Sequence, residues 1–402
     1  MAAMAIEKEH LLIVGTYSEN LGFVDGKGKG LYAFRLTSSG TFGAATFLNK
    51  PLLGNDVVGA NPTYLCKSVT HDDVVYVVDE SNLERGARVR AIKVDKDACT
   101  AQPLGDSLAT GDSSACHVAA TQTHVYVANY CGGKEGAGSC ASFNIGEDGS
   151  LKSDASEADL LQDASALRRL SALGKFVVPK NGDPERQEKA HAHMCLLSSN
   201  GTLLVPDLGA DVVWRLNAPS LTPMAVACKC DDGDGPRHAA WHPSLDVLYV
   251  LTELSCRLLA FRVCRETGKP LDKTPFASSR TLPRECYPPS SVNAPPSRPK
   301  STCAALVVHP SGRFAYASNR AIGVDGLVSV ISLSEDGAPF TSMHVTTGGR
   351  TPREIALVGS DLLLVANQDS STILSFAIDQ KTGALAKKHQ VACPTPVCLL
   401  TL

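Results

Sequence analysis

The chain has 402 residues, with 38 Lys and Arg against 41 Asp and Glu, so its net charge is −3, and it has no basic run. This balance argues against a nucleic-acid partner. The first residues, MAAMAIEKEHLLIVGTY, place no basic segment ahead of a long apolar run. We therefore expect neither a signal peptide nor a membrane span, and a cytoplasmic location.

The 14 cysteines are scattered along the chain, several of them inside apolar runs. Buried free thiols are typically found in such runs, which favours a reducing, intracellular setting. Cys228 and Cys230 form a close pair, but their one-residue gap differs from the usual zinc spacing. The cysteines therefore predict no metal site.

Seven short apolar strands recur along the chain, each followed by a polar cluster and then by a second β-rich run. They begin near Leu11, Val74, His124, Thr202, Val247, Phe314 and Leu362. Separate β-sandwiches would also show short strands with turn signals. In six of the seven repeats, however, the polar cluster directly follows a strand too apolar to be half exposed. A propeller explains why the polar cluster follows a fully apolar strand, because its inner strands are buried on both faces and their ends rim a central channel.

We predict an all-β fold, a seven-bladed β-propeller, as one domain over residues 1–402 with the apolar strands as inner strands. One blade should be completed by both chain ends, the strand at Leu11 and a strand within residues 393–402, which removes exposed edges. Each repeat averages about 57 residues, more than the roughly 40 to 50 usual for a blade, so insertions must absorb the excess.

Insertions are expected near residues 150–190 and 278–302. Leucines near helical spacing in the first predict a short amphipathic helix or, alternatively, a leucine-rich loop. These leucines are Leu160, Leu161, Leu167, Leu170 and Leu173. The prolines of the second insertion forbid ladder pairing and favour an extended surface loop.

Polar residues suited to an anionic or polyhydroxylated small molecule occupy equivalent places in the repeats. Turns before the predicted inner strands carry His191, His193, Arg237, Arg350 and Arg353. Strand ends carry Tyr17, Asn129, Tyr130, Asp207, Glu253, Asn319, Arg320, Asn367 and Gln368. If the blades are radial, these side chains lie near one end of the channel.

Some of these residues have structural alternatives. His242 and His309, in His-Pro turns, are better interpreted as hydrogen-bond partners of neighbouring backbone. Asp207 is interpreted as the cap of a tight turn. For Arg350 the alternative is that it joins adjacent blades through contacts with backbone carbonyls. His193, Arg237, Glu253 and Arg320 are harder to explain in this way, because gathering four ionisable groups without a ligand is costly. A calcium-dependent lactonase is disfavoured, since arginines would repel a cation.

Four stretches resemble one known family: NGDPERQEKAHAHMCLLSSNGTLLVPDLGADVVWRL, GPRHAAWHPSLDVLYVLTELS, VHPSGRFAYASNR and GGRTPREIALVGSDLLLVANQDSSTILSFAID. The family is that of the seven-bladed lactonases, which includes propeller-type 6-phosphogluconolactonases and the fungal 3-carboxy-cis,cis-muconate lactonizing enzyme. The resemblance covers nearly the whole chain. In the muconate branch the proposed site uses a histidine, two arginines and a glutamate, which by motif fall on His193, Arg237, Glu253 and Arg320.

Parts of the chain depart from one or other branch of this family. Residues 183–188, before the histidines, are more like the bacterial phosphogluconolactonases. The second repeat, VVDESN, lacks a close counterpart of the charged positions, and Cys131 stands where glycine often follows Asn-Tyr. These departures leave the substrate open.

The resemblance implies a hydrolase that opens an anionic sugar lactone such as 6-phosphogluconolactone. Glu253 or His193 would activate water and Arg237 would stabilise the oxyanion, while Arg320, with Arg353 or Arg186, would hold the phosphate or carboxylate. Neighbouring arginines would make Glu253 a poor base, which favours histidine. His191, Gln368, Asn129 and Tyr17 are further predicted substrate contacts.

Two alternatives use the same residues. One is a cofactor-free cycloisomerase of the carboxymuconate lactonizing type, and the other is a non-catalytic propeller that binds a small anion or a protein partner. For the lactonase we expect no cofactor, a small anionic lactone as the partner, and a monomer or weak homo-oligomer.

Overall fold

The structure is a computed structural model that describes residues 9–43, 51–81, 84–132, 136–153, 166–173, 178–180, 182–287, 301–321 and 323–402. Within these ranges the chain forms seven antiparallel sheets, one short helix, α1 (Asn55–Val58), and single 3-10 turns at Leu170–Ala172 and Arg284–Cys286. None of the helices described there has the length and apolar character needed to cross a membrane.

In chain order the strands are β1 (Glu9–Thr16), β2 (Gly30–Thr37), β3 (Leu53–Gly54), β4 (Pro62–Lys67), β5 (Val74–Asp79), β6 (Arg88–Asp95), β7 (Thr100–Ala109), β8 (Ser113–Ala120), β9 (His124–Cys131), β10 (Ser139–Ile145), β11 (Leu151–Lys152), β12 (Ala166–Arg169), β13 (Leu196–Leu197), β14 (Leu203–Asp207), β15 (Val212–Asn217), β16 (Thr222–Lys229), β17 (Pro236–Trp241), β18 (Val247–Thr252), β19 (Arg257–Arg262), β20 (Ala277–Arg280), β21 (Ser301–Val308), β22 (Phe314–Ala321), β23 (Leu327–Leu333), β24 (Pro339–Thr346), β25 (Pro352–Val358), β26 (Leu362–Asn367), β27 (Thr372–Ile378), β28 (Leu385–Ala392) and β29 (Pro396–Thr401).

Each sheet is one blade of a propeller. The strand orders are β29-β1-β2-β3, β4-β5-β6-β7, β8-β9-β10-β11 with β12 also on β10, β13-β14-β15-β16, β17-β18-β19-β20, β21-β22-β23-β24 and β25-β26-β27-β28. First strands of successive sheets contact one another, for example β29 with β4, β4 with β8, and β17 with β21. We call these first strands the inner strands and their neighbours the second strands. The predicted seven-bladed β-propeller is confirmed.

The apolar strands found in the sequence are the second strands, so their prediction as inner strands was wrong. A second strand has a neighbour on each edge and a blade on each face, and all six residues of β5, β18 and β26 are buried. An inner strand has one edge on the channel and therefore accommodates polar residues. Arg237 and Arg353 accordingly lie within the inner strands β17 and β25, not in turns ahead of them.

Adjacent blades pack through their second strands. Val74 and Tyr76 of β5 belong to the same core cluster as Val125 and Val127 of β9. Tyrosine hydroxyls reinforce this packing by donating to a turn carbonyl of the next blade: Tyr76 to Gly149 (3.0 Å), Tyr249 to Gly337 (2.7 Å) and Tyr316 to Gly383 (3.0 Å). The blades are thereby held at fixed angles around the channel.

The ring closes as predicted, in a blade that contains both chain ends. The C-terminal β29 is its inner strand and pairs antiparallel with the N-terminal β1, from Leu12 opposite Thr401 to Thr16 opposite Pro396. This closure leaves no gap between the first and last blades.

The predicted insertions are described only in part. The helix prediction was wrong for residues 166–173, which form β12 and a 3-10 turn, because β12 completes a sheet by pairing with β10. Leu160 and Leu161 lie outside the described residues, as do the prolines from 288 to 299. Ser278 belongs to strand β20, so the second insertion begins later than expected.

Candidate functional site

The functional side chains meet at one end of the channel because of strand direction. Second strands finish at this end, and the antiparallel inner strands begin there. Glu80 and Glu253 thus directly follow β5 and β18, and Arg320 is near the end of β22, whereas Arg237 and Arg353 are the second residues of their inner strands. Alternating strand direction therefore brings residues distant in sequence to one place.

A β-bulge recurs at the start of the inner strands. In β17, for example, Pro236 pairs with Thr252 and His238 with Leu251, which leaves Arg237 as an extra residue. The same one-residue excess falls on Thr63, Cys116, Arg353 and Val397. Bulges redirect side chains, and these five all line one small cavity in the channel. The bulge thus sets which residues face the channel.

The Glu253 carboxylate is the centre of the site and is 1% exposed. Its Oε1 accepts a hydrogen bond from Nη2 of Arg186 at 2.7 Å. Its Oε2 lies 3.0 Å from Nε of Arg237 and 3.0 Å from Nη2 of Arg320. Three guanidinium groups from different elements therefore converge on one carboxylate.

Charge at this cluster is fixed by proximity. Burial alone would raise the pKa of Glu253, but the neighbouring guanidinium groups, led by Arg320, outweigh burial and hold that pKa well below its usual range. Burial, followed by the charge of Arg320, lowers the pKa of Arg237 to about 10, so the group remains a cation at neutral pH. Glu253 is thus a permanent anion and a poor proton acceptor.

Three buried histidines continue the site into the channel. The His193 and His238 ring centroids are 5.7 Å apart, and those of His238 and His117 are 6.2 Å apart. Burial, followed by the positive charge of Arg237, lowers the pKa of all three imidazoles, that of His117 to about 3. They are therefore neutral at pH 7, and Nδ1 of His193 is buried with no hydrogen-bond partner among the residues that the structure describes. His193 is thus unprotonated and able to accept a proton, and its lowered pKa makes it a weaker base than a free imidazole.

A second charged group lies across the channel. The Tyr17 hydroxyl donates to Oε2 of Glu80 at 2.7 Å, and Nη2 of Arg353 lies 3.7 Å from the same oxygen. The Arg353 guanidinium also sits over the Tyr17 ring, 5.1 Å from its centroid. The second repeat therefore does supply a charged residue, Glu80, contrary to the reading of VVDESN as lacking one.

Other predicted contacts are placed differently. His191 stacks on Tyr130 and bonds its carbonyl (3.0 Å), and the hydroxyl of that tyrosine accepts from Arg186 at 3.2 Å. Asn129 is fully buried, with its amide donating to Ser139 inside the blade, and Gln368 donates to Asp369. The structure thus brings His191 to the edge of the arginine cluster but does not join Asn129 or Gln368 to it.

Three structural alternatives named from the sequence are confirmed. His242 and His309 bond backbone carbonyls of Gly312 and Ser360 at 3.0 and 2.9 Å. Asp207 caps its turn by accepting from the backbone N–H groups of Gly209 and Ala210, both at 3.1 Å. These side chains are already committed to holding the blades together.

Asp211 links two parts of the arginine cluster. Its Oδ1 accepts from Gln187 Nε2 (2.9 Å) and from the Gly235 backbone (2.7 Å), and its Oδ2 accepts from the Gly233 backbone (2.8 Å). Gln187 adjoins Arg186, and Gly235 precedes Arg237 by two residues. One carboxylate therefore fixes both arginines relative to each other.

Sequence reasoning missed Glu80, His117, His238 and Glu354. His117, His238 and Glu354 each follow a bulged residue of an inner strand. His238 and Glu354 could have been found from the sequence. Each directly follows an arginine already predicted to be in the site, in the triplets Pro236-Arg237-His238 and Pro352-Arg353-Glu354.

Comparison with known proteins agrees with this architecture. The family model described as lactonase, 7-bladed beta-propeller, matches residues 11–401. The chain is 29% identical over 394 residues to the 6-phosphogluconolactonase of Bacillus subtilis (strain 168), covering 96% of each protein. A solved structure from Bacteroides fragilis NCTC 9343 has a TM-score of 0.74 at 26% identity, covering 98% of both chains. The periplasmic gluconolactonase of Pseudomonas aeruginosa shares the fold, with a TM-score of 0.75 at 22% identity over 98% of this chain and 99% of that one. The chain belongs to the seven-bladed β-propeller lactonase family.

Proposed function

We propose that this protein is a lactonase-type hydrolase that opens an anionic sugar lactone such as 6-phosphogluconolactone. The observation that carries the proposal is the convergence of Arg186, Arg237 and Arg320 on the Glu253 carboxylate. The name of the Bacillus subtilis relative, 6-phosphogluconolactonase, supports the same substrate class.

Within the described residues, the two ion-paired groups around Glu253 and Glu80 contain more guanidinium groups than carboxylates. Four guanidinium groups face the two carboxylates of the ion pairs there: Arg186, Arg237, Arg320 and Arg353 against Glu253 and Glu80. Guanidinium groups bind phosphate and carboxylate through paired hydrogen bonds. The excess favours a substrate that carries negative charge away from its reacting carbonyl.

The chemistry assigns a role to each part of the cluster. His193, neutral and with a free ring nitrogen, takes the proton of the attacking water. Arg237 stabilises the oxyanion that forms, and Arg320 with Arg186, whose side chain is partly exposed, holds the anionic group. Glu253 keeps the three guanidinium groups in place and takes no proton.

The proposal is tested with purified full-length protein and 6-phosphogluconolactone, with correction for spontaneous hydrolysis. Carboxymuconolactone and a metal chelator are run alongside. Arg237→Ala should lower kcat by about a hundredfold to a thousandfold, the usual cost of losing an oxyanion donor. Arg313→Ala is the matched control: this exposed arginine lies just before the second strand β22, at the end of the channel opposite the site, and should leave kcat unchanged. An Arg237→Ala enzyme within threefold of the wild type would refute the assignment, and turnover of carboxymuconolactone alone would favour the cycloisomerase.

A further inference from the structure

A small cavity of about 10 Å³, the size that one water molecule needs, lies in the channel beside the arginine cluster. Its walls are Thr63, Tyr64, Glu80, Cys116, Arg237, His238, Arg353, Glu354 and Val397. Arg237 lines this cavity and also contacts Glu253, while Arg353 lines it and also contacts Glu80. The cavity therefore adjoins both charged groups of the site.

Glu354 lines this cavity and has no role in the mechanism described so far. The residue is 9% exposed and follows the bulged Arg353 in β25. Among the described residues no hydrogen bond to its carboxyl group is found, whereas Glu253 accepts from Arg186 and Glu80 accepts from Tyr17. Its carboxyl oxygens are not among the enclosed side-chain atoms that lack a partner, and the residue lines the cavity, so the carboxyl group opens onto this space.

The surroundings of Glu354 keep it protonated. Burial raises the pKa of Glu354 to about 8, against the opposing effect of Arg237 and then Arg353. The other ionisable groups that face it or share its cavity come from four further strands and one turn: Tyr64 of β4, Cys398 of β29, Cys116 of β8, His238 of β17 and Glu80 after β5. Two carboxyl groups in one channel thus hold opposite states at pH 7, with Glu253 ionised and Glu354 neutral.

Such divergence of two carboxyl groups commonly separates an acid from a charge-stabilising partner. Opening a lactone requires both a base for water and an acid for the departing ring oxygen. In the proposed mechanism His193 supplies the first of these functions. The arginines keep their protons, so the acids available for the second are Glu354 and the imidazolium that His193 has become.

We propose that Glu354 is the proton donor to the departing ring oxygen, acting through a water molecule seated in the cavity. This inference rests on the proposed function. When the tetrahedral intermediate collapses, the bond between the carbonyl carbon and the ring oxygen breaks, and its electron pair stays on that oxygen. The Glu354 proton reaches the oxygen through the water. The proton that His193 took from the attacking water then restores Glu354, so the sum is lactone plus water giving the hydroxy acid.

The test compares wild type with Glu354→Gln, which keeps the size of the side chain but has no acidic proton. In the wild type, kcat should fall as pH rises through about 8, because Glu354 loses the proton it must donate. Glu354→Gln should lose about a hundredfold in kcat, with KM changed by less than threefold, and should lose this alkaline limb. A kcat within threefold of wild type, or an alkaline limb that persists in the variant, overturns the proposal.

Two further measurements keep the result interpretable. If Glu354→Gln does not fold, as judged by urea unfolding, the wild-type profile decides by itself: a kcat that stays constant from pH 7 to 9 overturns the proposal. Failure of the proposed function looks different, because the wild-type protein would then hydrolyse no lactone above the spontaneous rate.

Discussion

Nε of Arg237 lies 3.0 Å from Oε2 of Glu253, although Arg237 is in β17 and Glu253 directly follows β18, the next strand of the same blade. The turn at His242 and Pro243 returns the chain, and the Glu253 N–H donates to the Gly235 carbonyl at 2.7 Å. The ion pair is thus set by the backbone of a single hairpin, which makes its geometry rigid before any substrate arrives.

Replacing Glu253 by Gln should destabilise the fold, because three guanidinium groups would remain close together without their counter-charge. Loss of one partner from a buried ion pair typically costs about 3–5 kcal/mol. Urea unfolding at pH 7 measures this difference. Glu335→Gln, on an exposed turn between β23 and β24, is the matched control and should change the unfolding free energy by less than about 0.5 kcal/mol. A Glu253→Gln protein as stable as this control would show that the arginines do not depend on the carboxylate.

The buried histidines should make the protein less stable in mild acid. Their folded-state pKa values lie below the ordinary value of about 6.5, so the unfolded chain binds more protons and stability falls as pH drops below that value. For His117, whose pKa is lowered to about 3, the stability lost between pH 7 and pH 5 should be about 2 kcal/mol.

His117→Phe isolates one of these contributions, since His117 stacks on Tyr64 and a phenyl ring preserves that contact. Unfolding free energies measured in urea at pH 7 and pH 5 should differ by about 2 kcal/mol less in the variant than in the wild type. Parallel pH dependences would mean that folding does not lower the pKa of His117.

Removing residues 393–402 should abolish cooperative folding. The deletion takes away β29, the inner strand of the closing blade, with the buried side chains of Val397, Cys398 and Leu399. Buried apolar side chains are worth about 2–5 kcal/mol each, so the loss approaches the whole stability of about 5–15 kcal/mol. Thermal unfolding followed by circular dichroism measures the effect, with Leu399→Ala as a milder comparison that should still fold. A truncated protein that melts like the intact one would refute closure by this strand.

Asp211→Ala should weaken activity without touching the substrate directly. The substitution leaves the Gln187 amide and two backbone N–H groups without their acceptor, at about 1–3 kcal/mol for each buried group. It also removes the link, through Gln187 and Gly235, that fixes the position of Arg186 relative to Arg237. Because Arg186 is proposed to hold the anionic group, KM for an anionic lactone should rise more than kcat falls. The control for steady-state kinetics is Asp232→Asn. Asp232 is exposed and adjoins Gly233, whose backbone N–H donates to Asp211. Unchanged KM in Asp211→Ala would show that Arg186 holds its position by other contacts.

The sequence was sufficient to predict the ring and the convergence of His193, Arg237, Glu253 and Arg320 near one channel end. Periodic apolar strands reveal a repeat regardless of which strand of the blade they form. The apolar strands were wrongly predicted to be inner strands because we expected the strand that lines the channel to be the one buried on both faces. The second strand is the buried one: Leu248 and Val250 of β18 are fully buried, and β18 lies between β17 and β19.

Glu80 and Glu354 could not be predicted in the same way. A bulge is a property of strand pairing, and an alternating pattern does not show which residue is the extra one. Without the bulge at Arg353, the neighbouring Glu354 would be assigned to the opposite face of β25. Glu80 was overlooked because Asp79 precedes it, and Asp79 instead forms a buried ion pair with Arg90 at 2.7 Å.

The repeated bulge separates the lining of the channel from the pairing of the strands. Thr63, Cys116 and Val397 occupy the positions that hold Arg237 and Arg353 in other blades, and none of the five takes part in the ladder pairing. A mutation at such a position alters the channel wall while every strand keeps its register. Substitutions at Thr63, Cys116 or Val397 therefore change the lining of the channel without removing a ladder pair, whereas a substitution at Arg237 also breaks its ion pair with Glu253.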